Sequence, residues 1–123
     1  SINGNQNSTR KMIYHNKLVR DKIPQIIQSR KKSCTFRKLD EQSYLLELRK
    51  KLSEEVNEYL EDPCKEELAD ILEVIDALAK TKGLTFSEVF KIKEKKKEER
   101  GAFTDRIFLE SVTEAGQGDG SKV

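Results

Sequence analysis

The sequence predicts an all-α protein, and three features carry that prediction. Leu45, Leu48, Leu52, Val56 and Tyr59 recur at i, i+3, i+7, i+11 and i+14, one face of a long helix. The stretch from Pro63 to Lys82 is apolar on most sides beyond Glu67 and closes at Gly83. Thr85-x-x-Glu88 is a capping box that opens a third long helix, and Gly101 ends it. At 123 residues the chain suits one domain.

Composition narrows the class further. Apolar residues make up 35% and charged residues 37%. That is thin for a monomeric core, but adequate for amphipathic helices that bury more surface by pairing between chains. Net charge is +2, from 24 basic and 22 acidic residues mixed along the chain, so a general nucleic-acid binder is not implied. No run approaches the roughly 18 apolar residues that span a membrane, and no secretory signal pattern appears. Cys34 and Cys64 form no CxxC pair and His15 is the one histidine, so thiolate or imidazole zinc sites are not expected. Two unpaired cysteines fit a reducing cytoplasm.

Taken in order, residues 1–12 are polar and aperiodic and read as a disordered arm, residues 13–112 as the folded domain, and residues 113–123 as a glycine-containing disordered tail. Within KLVRDKIPQII, Pro24 suits the first turn of a helix and Ile23, Ile26 and Ile27 form a short apolar stripe. Ser33 to Leu39 reads as an extended connection. Asp40 is an N-cap for the long helix that follows. Asp62-Pro63 is expected to stop that helix and start the next, with Asp62 as N-cap and Pro63 at the first helical position. The helix after it, apolar on most sides, is expected to be central and buried. Phe86, Val89 and Phe90 define the inner face of the last helix, which turns basic at Lys93, Lys97 and Arg100. Phe103, Ile107, Phe108 and Leu109 then supply a short apolar return, with Arg106 among them.

The chemistry concentrates between Ser53 and Asp76, SEEVNEYLEDPCKEELADILEVID. Glu55-x-x-Glu58 and Glu67-x-x-Asp70 each place two carboxylates on one side of a helix. Two such pairs on helices joined by a short turn can converge on one point. Converging carboxylates repel each other unless a hard divalent cation sits between them, and all-oxygen ligation suits Mg²⁺ or Mn²⁺. An isolated ExxE is usually a solvated helix face. Here the second pair sits inside a nearly all-apolar helix, where an unpaired charge costs several kcal/mol, roughly. Glu55, Glu58, Glu67 and Asp70 are thus the expected metal ligands. Glu54 and Glu73 stand behind them, to orient ligands or to position or deprotonate water. Asp76 is expected to pair with a basic residue of a neighbouring helix.

Lys93, Lys97 and Arg100, with Arg106, are the candidate phosphate contacts, because a triphosphate needs positive charge on the side away from the metal. Lys91, Lys95 and Lys96 read as a solvated face. In the N-terminal motif Lys17, Arg20, Asp21 and Lys22 allow two roles, an Arg-Asp structural pair or substrate contact. Phe36, Tyr44, Tyr59 and Phe103 could stack on a base, although core packing is the commoner role of each.

The motifs SEEVNE, EELADILEVIDAL and KKKEERGAFTDRIFL, preceded by KLVRDKIPQII, resemble the MazG-like all-α NTP pyrophosphatase superfamily, over about Tyr14 to Leu109. The nearest branch is that of small single-domain house-cleaning enzymes with a KLVRDKIP start. The resemblance implies an antiparallel helical bundle completed by dimerisation or a dimer of dimers. It implies Mg²⁺ (or Mn²⁺) on Glu55, Glu58, Glu67 and Asp70, and hydrolysis of a nucleoside triphosphate between the α and β phosphates to nucleoside monophosphate and pyrophosphate. Glu54 or Glu55 would activate the attacking water, and Arg100 and Arg106 would contact phosphates or shape the site. Two departures stand out. Ala102 replaces the second glycine of an ERGGF-like end, and the gap from Glu58 to Glu67 is short, which demands a tight turn at Asp62-Pro63. The competing expectations are a phosphoribosyl-ATP pyrophosphohydrolase, a non-catalytic helical module binding nucleotides or partners, and a nucleic-acid-binding helix using Lys91 to Arg100. Base preference, metal number and oligomer size are open at this level.

Overall fold

A computed structural model describes residues 11–114 and contains four α-helices with no strand among the described residues. The protein is all-α, as the helical periodicity predicted. The helices are α1 (Ile23–Ser29), α2 (Glu41–Glu61), α3 (Lys65–Thr81) and α4 (Phe86–Arg100). Most of the expected arm and tail, residues 1–10 and 115–123, lies outside the described residues. The chain divides into two compact units, one up to Phe86 and one from Ser87 onward.

In the first unit, Pro24 lies in the first turn of α1, where its missing N–H costs nothing. Residues 32–40 are irregular, matching the expected connection. Asp40 caps α2: its carboxylate accepts a 2.7 Å hydrogen bond from the Ser43 N–H, and this holds the Asp40 pKa below its ordinary value. The α2–α3 joint differs from expectation. Asp62 is the C-cap of α2, its N–H donating to the Glu58 carbonyl, and Cys64 is the N-cap of α3. Pro63 disfavours helical backbone in the residue before it, and Asp62 accordingly adopts φ −140, ψ 79. Three residues, 62–64, thus make the reversal, and α2 and α3 pack against each other as a helical hairpin.

Helix α3 ends in a Schellman motif. Gly83 takes φ +72, its N–H reaches the Lys80 carbonyl, and the Leu84 N–H reaches Ala79. The end of α1 has the same pattern with Lys31 in the left-handed position, at φ +59.

Among the described residues the buried apolar side chains are Leu48 of α2 and Val74 and Ala79 of α3, and the hairpin seam is therefore the core. Helix α3 is not enclosed as expected. Leu68 and Leu72 are about half exposed, and Leu60 of α2 is 68% exposed, because within this unit α3 packs on α2 along one face. In the second unit, α4 is followed by Gly101 at φ +85, whose N–H bonds the Lys97 carbonyl. Phe103, Ile107 and Phe108 follow without helix, and Phe103 is 97% exposed.

Candidate metal centre

The hairpin brings the two acidic motifs together. Glu55 projects from α2, and Glu67 and Asp70 project from the first two turns of α3. One oxygen from each lies within 4.8 Å of the other two. The short Glu58–Glu67 gap therefore permits convergence within one chain. Glu58 does not join this group of three, yet its charge acts on Glu67.

Burial makes the cluster chemically unusual. Glu55 is only 8% exposed, beside the apolar seam. Glu67 Oε2 is buried and has no hydrogen-bond partner among the described residues. Its pKa is raised by partial burial first, and then by the charges of Glu58, Asp70, Glu55 and Asp62. A carboxylate that keeps one buried oxygen without a donor and clusters with two further carboxylates is an arrangement that a cation would satisfy. The donors are all hard oxygens, the set that suits Mg²⁺ or Mn²⁺.

Three basic side chains meet Glu55, Asp70 or the acids next to them. Lys51, one turn before Glu55, donates to Glu54 Oε2 at 2.7 Å and lies 3.3 Å from Glu55 Oε1. Burial alone would lower the Lys51 pKa; the paired Glu54 and Glu55 carboxylates overcome this and raise it. Lys17 donates to Glu54 Oε1 at 3.0 Å. The Lys51 hydrogen bond is the main reason the Glu54 pKa is lowered, opposed by some burial and helped by Lys17. Arg20 donates to Asp70 Oδ1 at 2.7 Å and places a second nitrogen 3.7 Å from Glu73 Oε1.

Lys17 reaches Glu54 of α2, and Arg20 reaches Asp70 and Glu73 of α3, so the N-terminal segment lies against the acidic side of the hairpin. The part played by Lys51 was not foreseen. Its i,i+4 spacing to Glu55 was the available signal, and a lysine at that spacing is common on solvated helices. Asp76 pairs with Lys80 of its own helix at 3.3 Å, and among the described residues not with a neighbouring helix. Of the candidate phosphate contacts, Lys93, Lys97, Arg100 and Arg106 all lie in the second unit. There Lys93 pairs with Glu94 at 3.2 Å and sits 5.2 Å from the centre of the Phe90 ring.

No helix of the described residues is long and apolar enough to cross a membrane. No family model matches the chain, and neither a curated protein nor a solved structure is detectably similar to it.

Proposed function

We propose that this chain is a Mg²⁺-dependent nucleoside triphosphate pyrophosphohydrolase of the MazG-like type, cleaving between the α and β phosphates. One observation carries the metal half of this reading. Glu55, Glu67 and Asp70 bring one oxygen each within 4.8 Å of the others, and Glu67 also carries a buried oxygen with no donor among the described residues. The substrate half rests on the motif resemblance alone.

Glu55, Glu67 and Asp70 would hold the ion, with Glu58 beside them. The ion would supply the positive charge that neutralises and aligns phosphate oxygens. Glu54 or Glu55 would orient the attacking water and accept its proton. Lys51 lies within 3.3 Å of both carboxylates, so it restricts their side-chain freedom and pre-sets them for that task. Glu54, held below the ordinary glutamate pKa, is a weak base, so its share is mainly orientation. Glu73 anchors Arg20 behind Asp70. The exposed leucines of α2 and α3 favour a homodimer or homotetramer. House-cleaning of the cytoplasmic nucleotide pool is the corresponding role.

The contacts of Lys17, Arg20 and Lys51 favour a second reading, a structural ion network in a non-catalytic binding module. Pyrophosphate release from a panel of canonical and modified NTPs with Mg²⁺ separates the two. The enzyme reading expects release by the wild type and loss in Glu55→Gln and Asp70→Asn, both still helical. No release from any NTP or from phosphoribosyl-ATP leaves the binding module.

A further inference from the structure

We infer that Arg20 exchanges partners, serving as the counter-ion of Asp70 until a divalent cation takes that carboxylate and then as a ligand of the substrate's phosphates. The inference rests on the metal-centre reading and adds a substrate-positioning residue to it.

The geometry separates an anchored backbone from a reachable side chain. The Arg20 carbonyl accepts a 3.0 Å hydrogen bond from the Ile23 N–H in the turn that opens α1. Four residues earlier, Asn16 adopts φ 45, a left-handed bend that asparagine tolerates better than most residues. Between these two features the chain is irregular, and it sends Lys17 to Glu54 and Arg20 to Asp70. The Arg20 side chain stays 53% exposed while making its contacts. Its two terminal nitrogens go to two different residues, Asp70 and Glu73, and not as a fork onto one. A guanidinium has five N–H donors, so these two contacts leave donors for a further acceptor.

Charge then sets the direction of exchange. Asp70 is both the partner of Arg20 at 2.7 Å and one of the three clustered carboxylates. A divalent ion on Asp70 competes with the guanidinium for the same negative charge. Glu73, one turn further along α3, keeps Arg20 at the rim once Asp70 is taken. A polyphosphate at the rim offers several anionic oxygens in the bidentate geometry that arginine matches and lysine does not. Arg20 should therefore oppose the metal alone and favour the nucleotide.

Opposite signs make the test sharp. Mn²⁺ binding to the full chain without nucleotide is titrated by electron paramagnetic resonance for wild type, Arg20→Gln and Arg20→Lys. Nucleotide KM is then measured at saturating Mg²⁺. Arg20→Gln is expected to tighten Mn²⁺ about threefold, the fold-change of a surface ion pair removed. It should also raise nucleotide KM about tenfold, the loss of one charge-assisted contact. Arg20→Lys should keep wild-type Mn²⁺ affinity and recover only part of KM. Unchanged or weaker Mn²⁺ binding in Arg20→Gln overturns the exchange, makes Arg20 a tether or an orienter of Asp70, and leaves the metal centre standing. If wild type and Arg20→Gln both fail to bind Mn²⁺, the metal centre and the exchange fall together. Should the variants misfold, wild-type ¹H–¹⁵N spectra of the arginine side chains read the same event. The Arg20 signal should move on adding Mg²⁺ and again on adding a non-hydrolysable NTP, and a signal indifferent to both overturns the inference.

Discussion

Lys51 and Glu55 lie one turn apart on α2, with Nζ 3.3 Å from Oε1, and Glu55 is the buried acid of the hairpin seam. The pair sets a charged group against the apolar core without leaving it uncompensated, and Glu54 completes the contact at 2.7 Å. Replacing Lys51 by Met keeps the aliphatic stem and removes the charge. We expect a loss of about 1–3 kcal/mol, because a buried carboxylate then lacks its partner. Divalent ions should restore more thermal stability to Lys51→Met than to wild type, as measured by melting with and without Mg²⁺. Equal Mg²⁺ effects in both proteins would remove Lys51 from the metal centre.

Glu67 titrates against the fold. Its folded pKa is raised, so its favourable contribution is complete below the ordinary glutamate pKa and is lost as pH rises through the folded value. Glu54 has the opposite sign: its pKa is lowered, and its contribution is present above the ordinary value and lost as pH falls through the folded one. Glu67→Gln should therefore raise the melting temperature at neutral pH in chelator, while abolishing the Mg²⁺-dependent stabilisation. A melting temperature that falls in Glu67→Gln would show that its carboxylate is already compensated.

The exposed leucines test assembly. Leu60, Leu68 and Leu72 expose apolar surface on a hairpin whose buried apolar side chains are few. Light scattering should give a dimer or tetramer for wild type and a smaller species for Leu68→Glu/Leu72→Glu. A monomeric wild type at micromolar concentration would refute the assembly.

Two helix ends offer a matched pair. Gly83 and Lys31 hold the same left-handed position in the same capping motif, and a Cβ on Gly83 would meet nothing within 4 Å. Gly83→Ala should cost about 1 kcal/mol from backbone strain alone. Lys31→Gly should be neutral or stabilising by denaturant melting, since it relieves the same strain. Equal losses in the two variants would point to side-chain contacts of Lys31 in place of strain.

Much of this architecture was legible in the chain. Asp40, Pro24, Gly83 and Gly101 act locally, through hydrogen bonds and backbone angles within a few residues, and each marks the boundary it was expected to mark. The joint at Asp62-Pro63 was misplaced because two helices compete for the same three residues, and the packing of the hairpin decides which residue caps which end. The enclosure of α3 was overestimated for a related reason. Periodicity shows which faces are apolar but not how many partners one unit supplies.

By itself the sequence determined the helices, their ends except at the Asp62–Cys64 joint, and the acidic residue types, because capping, propensity and periodicity are short-range. It also placed two carboxylate pairs on facing helices. Tertiary structure alone decided that Glu55, Glu67 and Asp70 form the close group while Glu58 stands aside. It alone sent Lys17 and Arg20 across to residues 37 and 50 positions away. Those choices depend on the rotation of α2 against α3 and on the path of an irregular segment. Both are set by the packing of Leu48, Val74 and Ala79 and by long-range charge, which no local pattern encodes.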